Sequence, residues 1–181
     1  MADEKWKGKV SAEVKGITAD QVWILLADFC NLQKCMPNVD QCIKVEGEDG
    51  KPGLVRHIGH CVTTTTEEEQ PPPSSLADTV EKKKVAIWAD EKLVIIDERE
   101  RFLSYEVIDN NFGIKSYEGA FRAVEVEGDG EVCRIEWSYI SDPIEGMTFV
   151  DFEVHRAFLL NGMVEMIQAY FAVTTVSSVS A

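Results

Sequence analysis

The sequence predicts an α+β fold: a curved, seven-stranded antiparallel sheet wrapped around one long C-terminal helix, with two short helices after the first strand. Two observations carry this. Short segments of alternating apolar and polar residues recur between closely spaced turn signals, the pattern of antiparallel hairpins in a meander. The stretch TFVDFEVHRAFLLNGMVEMIQAYFAV, residues 148–173, is helical in spacing and apolar over more than one stripe, so it needs to be largely buried.

The elements follow in order. KWKGKVSAEV places Trp6, Val10, Ala12 and Val14 on one parity, a half-buried strand. TADQVWILLADF opens with Thr18 and, three residues on, Gln21, which together form a capping box; Val22, Trp23, Leu25, Leu26 and Phe29 give its apolar face. NLQKCM adds a short second helix, stopped at Pro37. VDQCIKVEG is a strand with Val39, Ile43 and Val45 inward, EDGKPG a turn, and GLVRHIGHCV the next strand. VAIWADEKLVIID, RFLSYEVID, SYEGAFRAVEVEG and VCRIEWSYI complete the sheet, separated by DERE, NNFG and GDGE turns and ended by Asp142-Pro143. Thr148 is the expected N-cap of the long helix, with Asp151 in its first turn. TTVSSVSA, 174–181, is expected to be a frayed tail.

TTTTEEEQPPPSS, 63–75, has the composition of a linker. A domain boundary here would leave three strands and two short helices without the helix that covers them, so neither half would own a complete core. We therefore expect one domain over 1–181 with a long inserted loop over 64–82. Loop closure entropy grows only logarithmically with length, so such an insertion costs little.

The formal net charge of −14 argues against nucleic-acid backbones and anionic membrane surfaces and favours a neutral or cationic ligand. The first residues, MADEKWKGKV, are charged rather than apolar, and no run reaches the roughly 18 apolar residues of a membrane span. The odd number of cysteines (Cys30, Cys35, Cys42, Cys61 and Cys133), with no CxxC pair, implies reduced thiols in a cytosolic protein. His57 and His60 point to opposite faces of a strand, so no metal site is expected.

Strand parity then isolates polar residues on the apolar side. In VAIWADEKLVII the odd positions Val85, Ile87, Ala89, Leu93 and Ile95 are apolar, and Glu91 sits among them. Arg56 shares parity with Leu54 and Ile58, Tyr105 with Leu103 and Val107, and Tyr117 with Phe121 and Ala123. A parity change after Ala123 suggests a bulge there. Cys133, Ile135, Trp137 and Tyr139 turn inward on the last strand. A buried charge needs a partner, and an Arg56–Glu91 pair bridging neighbouring strands supplies one. Apolar walls with a few converging polar groups describe a small-ligand cavity, with Trp137, Phe158 and Met163 as further lining. A glutamate on such a wall is suited to general acid/base work, while the same pair serves equally as a structural ion pair.

The blocks KWKGKVSAEV, GLVRH, WADEKLVIID, LSYEVIDNNFGIKSY and CRIEWSYISDPIEGMT, in this order and spacing, resemble the plant lachrymatory-factor-synthase-like proteins. These belong to the polyketide-cyclase/START-like superfamily, which shares its helix-grip fold with the major birch-pollen allergen. The resemblance covers about Lys5 to Tyr170. It implies that Arg56 and Glu91 are the pair that relocates a proton in an alkenyl sulfenic acid, without metal or organic cofactor, and that Tyr105 and Tyr117 line the cavity. His57 stands where a tyrosine is common, and the 64–82 insertion is long for the family. The SGLPA gate and HRL latch of the related abscisic-acid receptors do not occur. The expectation is therefore a proton-transfer enzyme or, alternatively, a carrier of a hydrophobic ligand; docking through the acidic loop is a third, weaker reading.

Overall fold

The computed structural model describes residues 4–63, 84–128 and 132–178. The expected loop over 64–82 lies outside them. Seven antiparallel strands form one sheet in the order β1-β7-β6-β5-β4-β3-β2. They are β1 Trp6–Lys15, β2 Gln41–Glu46, β3 Val55–Thr63, β4 Lys84–Asp97, β5 Phe102–Asn110, β6 Tyr117–Glu125 and β7 Val132–Ser141. Helix α1, Ala19–Ala27, and a 3-10 helix, Phe29–Lys34, follow β1, and helix α2, Phe149–Ser178, closes the fold.

Local chemistry sets the helix starts. Thr18 Oγ1 accepts from Gln21 N at 3.2 Å while Thr18 N donates to Gln21 Oε1 at 2.9 Å, the expected capping box. Thr148 and Asp151 form the same reciprocal arrangement at the start of α2, with Asp151 N donating to Thr148 Oγ1 at 3.1 Å. α1 turns Val22, Trp23, Leu25 and Leu26 into the core and leaves Ile24 exposed. Trp23 Nε1 donates to Glu98 Oε2 at 2.6 Å, which fastens α1 to the β4–β5 turn. Arg101 in that turn adopts a φ of 47° and pairs with Asp20 of α1 and Glu125 of β6. α2 packs on β1 and touches the 3-10 helix. A Cβ at Gly162 would stand 2.8 Å from Pro37 Cγ, so glycine there lets α2 approach the segment after the 3-10 helix.

Several expectations are corrected. Ile43 and Val45 lie on the outer face of β2, exposed, and Cys42 turns inward instead. β2 is an edge strand, and its register sets Cys42 against Ile58 and Ile43 against His57. β6 keeps a continuous register with both neighbours, so there is no bulge at Ala123; Glu125 is exposed because β6 has run past the end of β5. The irregularities fall instead in β4, at Asp90/Glu91 and at Leu93/Ile95, and in β2, between Lys44 and Glu46. The one at Leu93/Ile95 turns Ile95 outward and sets Ile96 opposite Leu103.

The long helix is buried along one stripe only. Phe152, Leu159, Leu160, Met163 and Ile167 are buried, while Val150, Val154, Phe158 and Val173 are open, because the sheet covers one side of α2. Over Phe149–Thr174, with mean hydropathy 1.2, α2 is long and apolar enough to span a membrane by composition, although no uninterrupted apolar run occurs. Its buried stripe identifies it as the helix gripped by the sheet. The helix continues to Ser178, and Thr174 Oγ1 donates to the carbonyls of Tyr170 and Phe171 at 3.1 and 3.0 Å; the rest of the expected tail, 179–181, lies outside the described residues.

Candidate functional site

Arg56 and Glu91 stand directly opposite each other in the β3–β4 register, so they share a face. That face is the inner one: Arg56 is 2% exposed and Glu91 6%. Arg56 Nε lies 2.8 Å and its NH2 2.6 Å from the same oxygen, Glu91 Oε2. Arg56 NH1 donates to the carbonyl of Phe29 at 2.6 Å, and Arg56 Cζ sits 3.8 Å from the Phe29 ring centroid and 5.5 Å from that of Tyr105. Hydrogen bonds thus engage Nε and NH1 of the guanidinium, and NH2 completes the ion pair. Cys42 Sγ, 3.7 Å from the same Phe29 carbonyl, closes the far side.

Tyr105 reaches the pair because its cross-strand neighbour is Gly119. A Cβ there would meet Tyr105 Cζ at 2.5 Å, so only glycine lets the phenol ring lie across β6. The ring stacks on Phe121, with centroids 6.2 Å apart, and lies 6.0 Å from Tyr117. Burial holds the ionisation of both phenols above the ordinary tyrosine range, and each is reinforced by the negative charge of Glu91. Phe121 stacks on Trp137 at 4.9 Å. Arg156 of α2 closes this layer, its Cζ 4.5 Å from the Phe152 ring, 4.9 Å from Trp137 and 5.0 Å from Tyr117.

The structure thus brings together Arg56, Glu91, Tyr105, Tyr117 and Trp137, with Met163 buried in the same core. It does not bring in Phe158, which is 64% exposed. Five positions from Met163, it lies roughly 140° round the helix, turned away from the sheet. His57, on the outer face, places Nδ1 2.6 Å from Asp90 Oδ1 and stacks on Trp88, so the departure at this position does not touch the interior. Sequence reasoning missed Phe29, Phe121, Phe152 and Arg156 as site neighbours. Arg156 left a signal: it follows Phe152 by four residues, a cation inside the apolar stripe. Two open hollows lie at the rim, one of about 650 Å³ lined by Trp6, Phe149 and 4–7, the other of about 260 Å³ beside 110–115 and Ile144. Neither is lined by the buried pair.

The sequence pattern of the family described as polyketide cyclase/dehydrase and lipid transport matches residues 5–170. The chain belongs to that family. This polyketide cyclase-family chain shares its fold with solved structures. Ginseng major latex-like protein 151 from Panax ginseng superposes with a TM-score of 0.60 at 18% identity, over 91% of this chain and 97% of that one. The protein XoxI from Bacillus cereus gives 0.63 at 18%, over 92% and 95%. A protein from Thermobifida fusca gives 0.62 at 23%, over 89% and 92%. At these identities the likeness is one of fold. The family description fits the inner face: an apolar wall carrying a few polar groups.

Proposed function

We propose that this chain binds a small, mostly apolar metabolite on the inner face of its sheet and moves a proton within it, as a cofactor-free isomerase or cyclase of lachrymatory-factor-synthase type. The observation that carries this reading is the pair itself: the carboxylate of Glu91 and the guanidinium of Arg56 meet on the buried inner face, with Arg56 Nε and NH2 both at Glu91 Oε2. The carboxylate suits a substrate proton and the guanidinium a substrate oxygen. Tyr105 and Tyr117, kept protonated by burial, would serve as neutral donors that orient it.

With an alkenyl sulfenic acid the step balances within one molecule. Glu91 takes the S–O–H proton, whose bonding pair stays on oxygen. The C=C pair takes a proton from Glu91 to form the new C–H bond, and a sulfur lone pair closes C=S. The product is a thial S-oxide, and Glu91 ends as it began.

A carrier is the second reading, favoured by the lipid-transport part of the family description. The test mixes the protein with an alliinase and an alkenyl cysteine sulfoxide and detects volatile thial S-oxide. The proton-transfer reading expects product from the wild type and at least roughly 100-fold less from Glu91→Gln, with binding little changed. If the folded wild type gives no product, the sulfenic acid is not its substrate. If Glu91→Gln turns over like the wild type, Glu91 is not the base.

A further inference from the structure

Three polar atoms on the inner face have no partner: Tyr117 OH, Trp137 Nε1 and Arg156 Nε. All three can donate, and the two nitrogens can only donate. They belong to one cluster, because Arg156 Cζ lies within 5.0 Å of both the Tyr117 and the Trp137 ring centroids. Tyr117 and Trp137 are 3% and 2% exposed. Among the described residues no carboxylate pairs with Arg156. Nearby Glu153 is turned to Tyr139, whose OH donates to its Oε1 at 3.2 Å. The contrast with Arg56, matched by Glu91 and the Phe29 carbonyl, is sharp. Leaving buried donors unpaired is costly. In this cluster the Tyr117 hydroxyl, beside Tyr105 and Trp137, is the one group that can also accept, so donors outnumber acceptors and the cluster is complementary to an acceptor that arrives from outside.

We infer that Arg156, Tyr117 and Trp137 form an oxyanion subsite that takes the carboxylate or similar singly charged oxygen group of an apolar ligand. This rests on the reading of the inner face as a ligand site and deepens it. The subsite joins the Arg56–Glu91 pair through Tyr105, whose ring is 6.0 Å from that of Tyr117. A ligand anchored by its anion at Arg156 would therefore present its neighbouring carbons towards Glu91. The net charge of −14 works against an anion at long range. Salt screens that repulsion over about 10 Å, whereas the half-buried guanidinium of Arg156 acts at contact. An anionic ligand departs from the preference for neutral or cationic ligands drawn from bulk charge.

The probes are octanoate and 1-octanol, equal in chain length and different in head group. Each is titrated at neutral pH into the wild-type chain and Arg156→Met, following the indole N–H resonance of Trp137. The subsite predicts that octanoate binds the wild type at least roughly tenfold tighter than octanol. Arg156→Met, which keeps an apolar stem of similar length, should erase that preference. Equal affinity of the wild type for both probes overturns the oxyanion subsite and leaves the ligand-site reading standing. Binding of neither overturns both. The wild-type comparison stands by itself if the variant does not fold.

Discussion

Arg56 keeps its charge inside the protein because a carboxylate, a carbonyl and two aromatic faces surround the guanidinium. Removing the carboxylate leaves a buried cation with only the Phe29 carbonyl to compensate it. Such losses cost roughly 3–5 kcal/mol. Glu91→Ala should therefore lower the melting temperature by about 10 °C in a thermal denaturation, given the usual shift per kcal/mol for a chain of this size. An unchanged melting temperature would mean that the pair is not tight in solution. Strand parity exposed this pair in the sequence, because a charge among alternating apolar residues is visible wherever the alternation is regular. Phe29 was not legible as a partner, since its contribution is a backbone carbonyl aimed by the 3-10 helix. Arg156 was legible only as a cation four residues after Phe152, inside a stripe that the helix's many other apolar residues obscure.

At the scale of the element, α2 shows how far composition overstates burial. Its apolar residues surround most of the helix, but one antiparallel sheet covers only one side of a helix, so Phe158 and Met163 meet opposite fates. Met163→Ala should destabilise by about 2–5 kcal/mol, the cost of truncating a fully buried side chain. Phe158→Ser should stay within about 0.5 kcal/mol of the wild type in urea denaturation and should not alter ligand binding. A large effect of Phe158→Ser would place that face against something. Helix starts were legible from their caps, as Thr18 with Gln21 and Thr148 with Asp151 show. Strand faces were legible except at β2 and the second half of β4. An edge strand can bury the polar-looking parity, as Cys42 does, and the irregularity at Leu93/Ile95 reverses the face without any glycine or proline to announce it.

Across the whole molecule, the sheet and α2 enclose an interior rich in phenols. Tyr105 and Tyr117 are held above the ordinary range, chiefly by burial, and Tyr139 is pushed up to about 12 by burial and by Glu153 beside it. A phenol whose folded pKa exceeds its unfolded value near 10 favours the fold fully below that value. This contribution is lost as the pH climbs from there through the folded pKa. The chain should therefore resist alkali up to about pH 10, then unfold, with tyrosinate absorbance rising together with the loss of helix signal. Tyrosinate appearing well before unfolding would contradict the burial of these rings. The overall architecture was the most legible feature, since strand alternation, short turns and one terminal apolar helix admit few arrangements.

A ligand must reach the inner face for this function, so the most direct test is to see where one goes. Dipropyl sulfoxide, an unreactive S–O compound, is titrated into labelled protein while the side-chain N–H resonances of Arg56 and of Trp6, Trp23, Trp88 and Trp137 are followed. The account predicts that Arg56 Nε and Trp137 Nε1 shift together and saturably, while Trp6 at the open hollow and Trp88 on the outer face stay still. Shifts confined to Trp6, with Arg56 and Trp137 unmoved, would place the ligand outside the sheet and contradict it.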